Sequence, residues 1–461
     1  MSVSLSSGLK PAFSPAVSDY TTDCTTVPAA TFSSTAPSTT TVRFDGTAQS
    51  AGTVNLTAGQ AVTWTVQTSA GITSYSARCT PADLPGYVAT VNGTPQAAFY
   101  IVAPSLGARA GPWVIIFNAQ GVPVWWKRVD NFPGNPLDAK LLAPGELSWS
   151  YNTFSYSFGA HHEVVGLDGA LIRSVTAPAP GADHHDLTST AGGNDLVISY
   201  VPRAAAQDLS AWGGPVSATV LDARVDEIAP DDTVVWTWSS GDHIALAESA
   251  RWLTAGGIAT GGGWKLPDGS LTGGYDIAHA NSVEDDGDGI ILSARHLDAV
   301  YRIDKASGSI DWKLGGSATP ESLAVSGDTH ASPLDGQHDA RRLADGTVTI
   351  HDNGTLAGRP PRATRWRIDA TANTAQLLEQ VTDTRAPVSG CCGSARKLAG
   401  GNWVASWGAN GLVTELAPDG TPQFTLEFLP ATVFSYRADP VDAGELSASA
   451  LRDGMNAQFP R

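Results

Sequence analysis

Basic residues are scarce in this chain, with 28 Lys and Arg against 45 Asp and Glu for a formal charge of −17 over 461 residues. A surface of that sign repels polyanions, which sets aside nucleic acid and anionic membranes as partners. It also gives an anionic small molecule no long-range help, so local cationic groups would have to capture one. Methionine occurs only 2 times, and long Leu/Glu/Lys/Ala stretches are missing, which argues against a helical protein. No apolar run approaches the ~20 residues of a transmembrane helix, so no membrane span is expected. Met1-Ser2-Val3-Ser4 shows neither a basic nor an apolar leader region, and no signal peptide is read in this sequence. Cysteine occurs 4 times, as Cys24 with Cys79 and as the adjacent Cys391-Cys392. The first two end candidate strands, and a disulfide between them would close a loop of roughly 55 residues, worth about 4 kcal/mol in chain entropy. That pairing implies an oxidising compartment, hence a secreted, periplasmic or cell-surface protein, whereas two buried thiols would imply none. Cys391-Cys392 reads as two packed thiols rather than a strained vicinal disulfide.

What is abundant is turn and strand chemistry, with Gly 48, Pro 29 and Trp 14. Residues 1–80 carry short alternating segments at Tyr20 to Cys24, Thr40 to Phe44, Gly52 to Leu56, Ala61 to Val66 and Ser74 to Cys79, the pattern of a small β-sandwich. Their opening, GLKPAFSPAVSDYT, resembles cadherin-like sandwich domains of bacterial extracellular proteins, and nothing in them suggests chemistry. After a linker at Pro81 to Pro85, six segments can each supply a four-stranded sheet. The fourth is the clearest, with strands at His279 to Val283, Ile290 to Ser293, Ala299 to Asp304 and Ile310 to Leu314. The first offers three strands, near Ala98 to Ala103, Trp113 to Phe117 and Val122 to Val129. Periods of about 40–50 residues with four strands each predict a β-propeller. The expected architecture is all-β: a sandwich over 1–80, then a six-bladed propeller over 81–461 with its site in the channel. Insertions at 202–215 and 241–275 have a length usual for functional or disordered loops, and a mouth-covering role is compatible with it.

A register repeats across these segments. His338 stands eight residues before the turn glycine Gly346, His279 eight before Gly287 and His185 eight before Gly193. Gly393 and Leu137 hold the same slot ahead of Gly401 and Gly145. The first strand of a propeller blade lines the channel, so three consecutive copies would bring histidines to one mouth. A lone histidine is more often structural than catalytic, but three at one repeat position point to function. His184 precedes His185, and the glycine spacing favours His185 as the one facing inward. Asn281 lies two after His279 and shares its strand face, and Arg295 follows the next strand. Imidazoles, an amide and one guanidinium suit a tetrahedral oxyanion such as sulfate or phosphate. Asp186 and Asp339 each follow a histidine, and strand alternation is expected to turn them from the channel, where they orient a ring or serve structure.

These residues resemble the bacterial aryl sulfotransferases that take the sulfuryl group from an aryl sulfate and not from a nucleotide. The likeness spans roughly residues 84–430 and is most specific in IAHANSVEDDGDGIILSARHLDAVYRIDKASGSIDWKLGG, GQHDARRLADGTVTIHDNG and GSARKLAGGNWVASWG. It implies a six-bladed propeller, an aryl sulfate donor, a phenolic acceptor and a ping-pong reaction through sulfohistidine, with no cofactor and no metal. His338 takes the place of the transiently sulfurylated histidine. His279, Asn281 and Arg295 take the sulfate-binding and acid/base positions, and His185 that of the remaining channel histidine. A homo-oligomer is compatible with the sequence.

Two other classes share the architecture. A calcium-dependent propeller hydrolase would use acids such as those of Glu284-Asp285-Asp286-Gly287-Asp288-Gly289, a run that reads mainly as an exposed blade turn without the last ligand of an EF-hand loop. A secreted, non-catalytic binding propeller would turn over no aryl sulfate.

Overall fold

The computed structural model describes residues 1–24, 29–104, 111–130, 135–152, 160–258, 264–265, 271–272 and 274–461. Residues 2–79 build two sheets. One holds Ser2–Leu5, Ala29–Thr35 and Ala51–Asn55, and the other runs in the order Asp19–Thr22, Gly71–Cys79, Ala61–Thr68, Thr41–Phe44, Thr47–Ala48. Alternation makes the sandwich: in Ala61–Thr68 the inward residues Val62, Trp64 and Val66 are buried between exposed or half-exposed neighbours. Trp64 stacks on Tyr75 at 5.5 Å between ring centroids, and Tyr20, Phe32 and Phe44 complete the aromatic core. Ser2–Leu5 and Ala29–Thr35 lie outside the strands read from sequence, because their Ser and Thr content masks the two-residue period. Cys24 and Cys79 are disulfide-bonded, with Cα atoms 5.7 Å apart.

Among the described residues six sheets of four or five strands follow, with the two-stranded pair Trp264–Lys265 and Leu271–Thr272 between the third and the fourth. The second to fourth fall where the sequence segments lie: Asn135–Ala143 to Leu171–Val175, Leu187–Ser189 to Val234–Ser239, and Ala280–Asp285 to Ile310–Gly315. The fifth adds the short Ala324–Ser326 beside Thr374–Val381. The first sheet is completed from the far end of the chain, where Ala438–Val441 pairs with Phe99–Val102 as its inner strand. Gly86–Val91 in turn pairs with Pro422–Leu429 as the outer strand of the last sheet. Both ends of the chain thus close the ring through its first and last sheets, whereas the second and fourth are built of consecutive strands alone.

The closing segment runs on into a helix, Ala448–Gln458, capped by the Ser447 side chain accepting from Ala450 N–H. Leu451 and Met455 bury themselves in the core of the first sheet. The opposite face meets the sandwich: Arg452 pairs with Asp19 at 2.6 Å, and Arg78 donates to Asn456 Oδ1 at 2.9 Å. No helix is long and apolar enough to cross a membrane among the described residues.

The disulfide spans a sequence separation of 55 residues. Replacing both Cys24 and Cys79 by Ser is expected to lower sandwich stability by about 4 kcal/mol, read as an earlier sandwich transition in denaturant.

Candidate functional site

The inner strands bring six equivalent positions to a common centre, occupied by Leu137, His185, His279, His338, Gly393 and Tyr436. Each stands eight residues before a left-handed turn glycine: Gly145 (φ 81°), Gly193 (82°), Gly287 (74°), Gly346 (82°), Gly401 (99°) and Gly444 (103°). Tyr436 is the slot sequence reasoning missed. The same glycine spacing marks it, but no further strands follow it in the chain to mark a blade. Gly393 is a requirement of packing: a Cβ there would sit 2.4 Å from His351 Nε2, on a backbone at φ +103°. Leu137 packs with Cys392 and Tyr436 as a small apolar wall. Cys391 and Cys392 are both free thiols.

Beneath the slots lies a buried ion network. Asp138, Asp186 and Asp339 share the cations Lys140, Arg341, Arg396 and Arg437. Lys140 bonds Asp138 at 2.6 Å and Asp186 at 2.7 Å, Arg341 bonds Asp186 at 2.8 Å and Asp339 at 3.1 Å, and Arg437 bonds Asp186 at 3.1 Å. Arg437 also pairs with Asp138, and Arg396 with Asp339. Burial pushes the Asp339 carboxyl up, but Arg396, Arg341 and Arg437 outweigh it and hold the group below the ordinary carboxylate range. Asp186 and Asp339 were expected to orient a ring or to serve structure, and the second role is the one found, since both anchor this network. Asp339 stands at φ 58° in a β-bulge between His338 and Arg341, which breaks the two-residue period.

The histidines are held by other partners. Asp276 accepts from the His279 backbone N–H at 2.7 Å and contacts its Nδ1 at 2.6 Å. Asp183 does the same for His185, through the backbone at 2.9 Å and through Nδ1. For His338 the holder is Asn353, whose Oδ1 lies 2.8 Å from Nδ1. The Asn353 amide donates to Ser389 Oγ at 2.7 Å and to Cys392 O at 2.9 Å, so its oxygen must face the ring. His338 therefore carries its proton on Nδ1 and presents a lone pair at Nε2, toward which the Cys392 backbone N–H points at 3.2 Å. Ring centroids are 4.8 Å apart for His185 and His279, and 6.5 Å for His279 and His338. His185 is buried at the centre, and His184 stacks on its outer side at 4.1 Å. Burial, then the charges of Arg295 and His279, hold the His338 imidazole well below the ordinary value of 6.5. Burial also depresses His279, with His185 and Arg295 adding to the effect.

Arg295 follows the strand Gly289–Ala294 and lies over the Trp252 ring at 4.3 Å. It donates to His296 Nε2 at 2.8 Å and to Gly390 O at 2.7 Å, while its Nε is buried without a partner among the described residues. His296 was missed; its ring is 4.6 Å from His279, and its Nδ1 is bonded to Asp276 O. Trp252 comes from the short helix Ala250–Thr254 of the 241–275 insertion, so the described part of that insertion packs against the site. Residues 259–263, 266–270 and 273 of it lie outside the described residues. Asn281 is fully buried, and its side chain donates to Gln337 O at 2.9 Å and accepts from Asp339 N–H at 3.3 Å. It thus brackets His338 through the backbone on either side.

Two triads, Asp183/His184/His185 and Asp276/His279/His296, bring donor atoms within 4.8 Å of one another, near enough to hold a cation. Within each, a carboxylate is already bonded to an imidazole Nδ1, an arrangement that orients a ring. The acids of the 284–288 turn are paired as well: Glu284 with Arg341 at 3.0 Å, Asp285 with Lys305 at 3.0 Å, Asp286 with Arg302 at 2.6 Å, and Asp288 with Arg302. Each acid of that turn is therefore already paired with a cationic side chain.

Fold and site together define an all-β propeller protein with a buried cluster of oriented imidazoles and one guanidinium at its hub. The sequence model of the family described as arylsulfotransferase (ASST) matches residues 148–429, and the chain belongs to that family. No curated protein matches it. Among solved structures it is similar to a protein of unknown function from Bacteroides caccae, with 12% identity over 75% of this chain and 99% of that one and a TM-score of 0.44. Virginiamycin B lyase from Staphylococcus aureus aligns at 11% identity over 74% and 87% of the two chains, TM-score 0.38. The periplasmic gluconolactonase of Pseudomonas aeruginosa aligns at 13% identity over 75% and 97%, TM-score 0.37.

Exchanging Arg437 for Met would leave Asp138 and Asp186 short of a buried cation. A loss of about 3–5 kcal/mol is expected, measured by denaturant unfolding.

Proposed function

We propose that this protein moves a sulfuryl group from an aryl sulfate to a phenolic acceptor through a covalent adduct on His338, with residues 1–80 as an accessory sandwich and the propeller beyond as the catalytic unit. The observation that carries the reading is the state of His338: buried, held below the usual histidine pKa, with Nδ1 pinned by Asn353 so that Nε2 keeps its lone pair. A neutral imidazole in that tautomer is a ready nucleophile.

In the first half-reaction Nε2 attacks sulfur in line, the N–S bond forms, and the S–O bond to the arene breaks with its electron pair leaving on the phenolate. The ring becomes cationic as sulfur adds. Asn353 Oδ1, with the Gly336 carbonyl 3.1 Å away, takes up that charge at Nδ1. Arg295 holds sulfuryl oxygens, its guanidinium stacked over Trp252 and its other donors on His296 and Gly390. The Cys392 N–H, aimed at Nε2 before reaction, is placed to meet a sulfuryl oxygen once Nε2 is bonded. The departing oxygen takes its proton from the imidazolium form of His279 or His185, each oriented by its aspartate and charged by the proton of the phenol accepted in the previous turnover. In the second half-reaction the same group takes the proton of the incoming phenol, whose oxygen attacks sulfur as N–S breaks. Asn281 acts as a positioning residue, tying the backbone on both sides of His338. The disulfide fits an extracellular or periplasmic setting.

Incubation with para-nitrophenyl sulfate tests the reading. Nitrophenol release should be stimulated by added phenol, with parallel double-reciprocal lines, and should vanish in His338→Ala. Release unchanged in that variant would sink the assignment.

Acidity supplies a further check. Because the folded pKa of His338 lies below 6.5, its nucleophilic form survives as pH falls through that value. The acid limb of kcat/KM for the donor should therefore lie below pH 6.5, and a limb at or above it would contradict the burial argument.

A further inference from the structure

The mechanism leaves one hub side chain without a task. Tyr436 fills the sixth slot of the ring, the counterpart of His185, His279 and His338 in the other inner strands. Its ring centroid lies 5.9 Å from that of His185 and 6.4 Å from that of His338. The residue is 2% exposed, yet its hydroxyl has no hydrogen-bond partner among the described residues. Burying an unpaired hydroxyl costs folding free energy, and phenylalanine would fill the same space without that cost. The other tyrosine beside the cluster is occupied, since Tyr200 donates to Ala280 O at 2.7 Å.

The ring is also fixed in place. Gly393 N–H donates to the Tyr436 carbonyl at 2.9 Å, and the Arg437 guanidinium lies 5.0 Å from the ring centroid. Arg295 Nε, on the Trp252 side of the site, is another buried donor without a hydrogen-bond partner among the described residues, and Arg437 Nε is a third. The Tyr436 hydroxyl and Arg295 Nε, unspent at one buried histidine cluster, match a ligand with several acceptor oxygens, which a sulfuryl group in flight provides and a lone phenol does not.

We infer that Tyr436 is a further catalytic residue, whose hydroxyl donates a hydrogen bond to a non-bridging sulfuryl oxygen as the group passes to and from His338. This rests on the sulfotransferase reading above. Tyr436 keeps its proton throughout: the N–S bond forms at His338 Nε2, the S–O bond breaks toward the arene, and the proton for the departing oxygen comes from an imidazole.

The test is Tyr436→Phe in the full chain, assayed with a series of aryl sulfates whose phenols differ in acidity. The expected result is a fall in kcat of roughly 10²-fold, KM changed much less, and a melting temperature equal to or above that of the wild type. The fall should be equal across the series, because the bond goes to oxygens that stay on sulfur. A variant as fast as the wild type would overturn the proposal. So would a loss that grows with the basicity of the leaving phenolate, which would put the hydroxyl on the bridging oxygen. A wild type that releases no phenol from any aryl sulfate would instead bring down the sulfotransferase reading itself. Should Tyr436→Phe fail to fold, 3-fluorotyrosine at 436 carries the test: a stronger donor is expected to keep or raise the rate, and a fall would overturn the proposal.

Discussion

The hub of this propeller depends on a buried exchange of charge. Asp138, Asp186 and Asp339 sit where the inner strands converge, and Lys140, Arg341, Arg396 and Arg437 reach them from different sheets. A single uncompensated charge at such a depth would be severely destabilising, and the pairing removes that cost only while all the sheets stand in register. Arg437 belongs to the closing strand segment and Asp138 to the second sheet, so ring closure and charge balance are one condition. Backbone is recruited too, with Val283 N–H donating to Asp186 at 2.9 Å.

Above that floor the same depth is turned to chemistry. Removing water makes the charged imidazole unfavourable, so His279, His296 and His338 all lie well below their ordinary pKa. The rings are aimed by hydrogen bonds that differ by position: aspartates fix His185 and His279, a neutral asparagine fixes His338. The difference has a physical sense. A carboxylate beside a ring stabilises its protonated form and suits a group that carries protons, whereas an amide sets the tautomer without pulling the ring toward the imidazolium.

The C-terminal segment joins several tasks that a repeat usually keeps apart. Ala438–Val441 completes the first sheet, Tyr436 and Arg437 enter the hub, and the helix Ala448–Gln458 packs on that sheet while reaching the sandwich through Arg452 and Asn456. The likeness to the arylsulfotransferase family runs over residues 148–429, so the segment that supplies the sixth slot lies just beyond it.

Much of this was legible in the residues alone. Strand alternation and left-handed glycines are local properties, so the all-β architecture, the sheet segments and the histidine slots at 185, 279 and 338 could be read from spacing. The disulfide partners could be named because each cysteine ends a strand of the same sandwich. What lay beyond sequence reading was set by contacts distant along the chain. Tyr436 joins the hub through a strand that pairs with residues over three hundred positions earlier. Asp339 stands in a bulge of its strand, and Arg396 and Arg437, two of its cations, come from beyond its own sheet. Asn353 and Asn281 act through partners in other strands or sheets, where a single amide gives no periodic signal. The repeat therefore determined which residues come to the channel. The closed ring alone decided which of them hold protons, which hold charge and which hold the backbone, because burial and hydrogen-bond partners exist only once the last strand is in place.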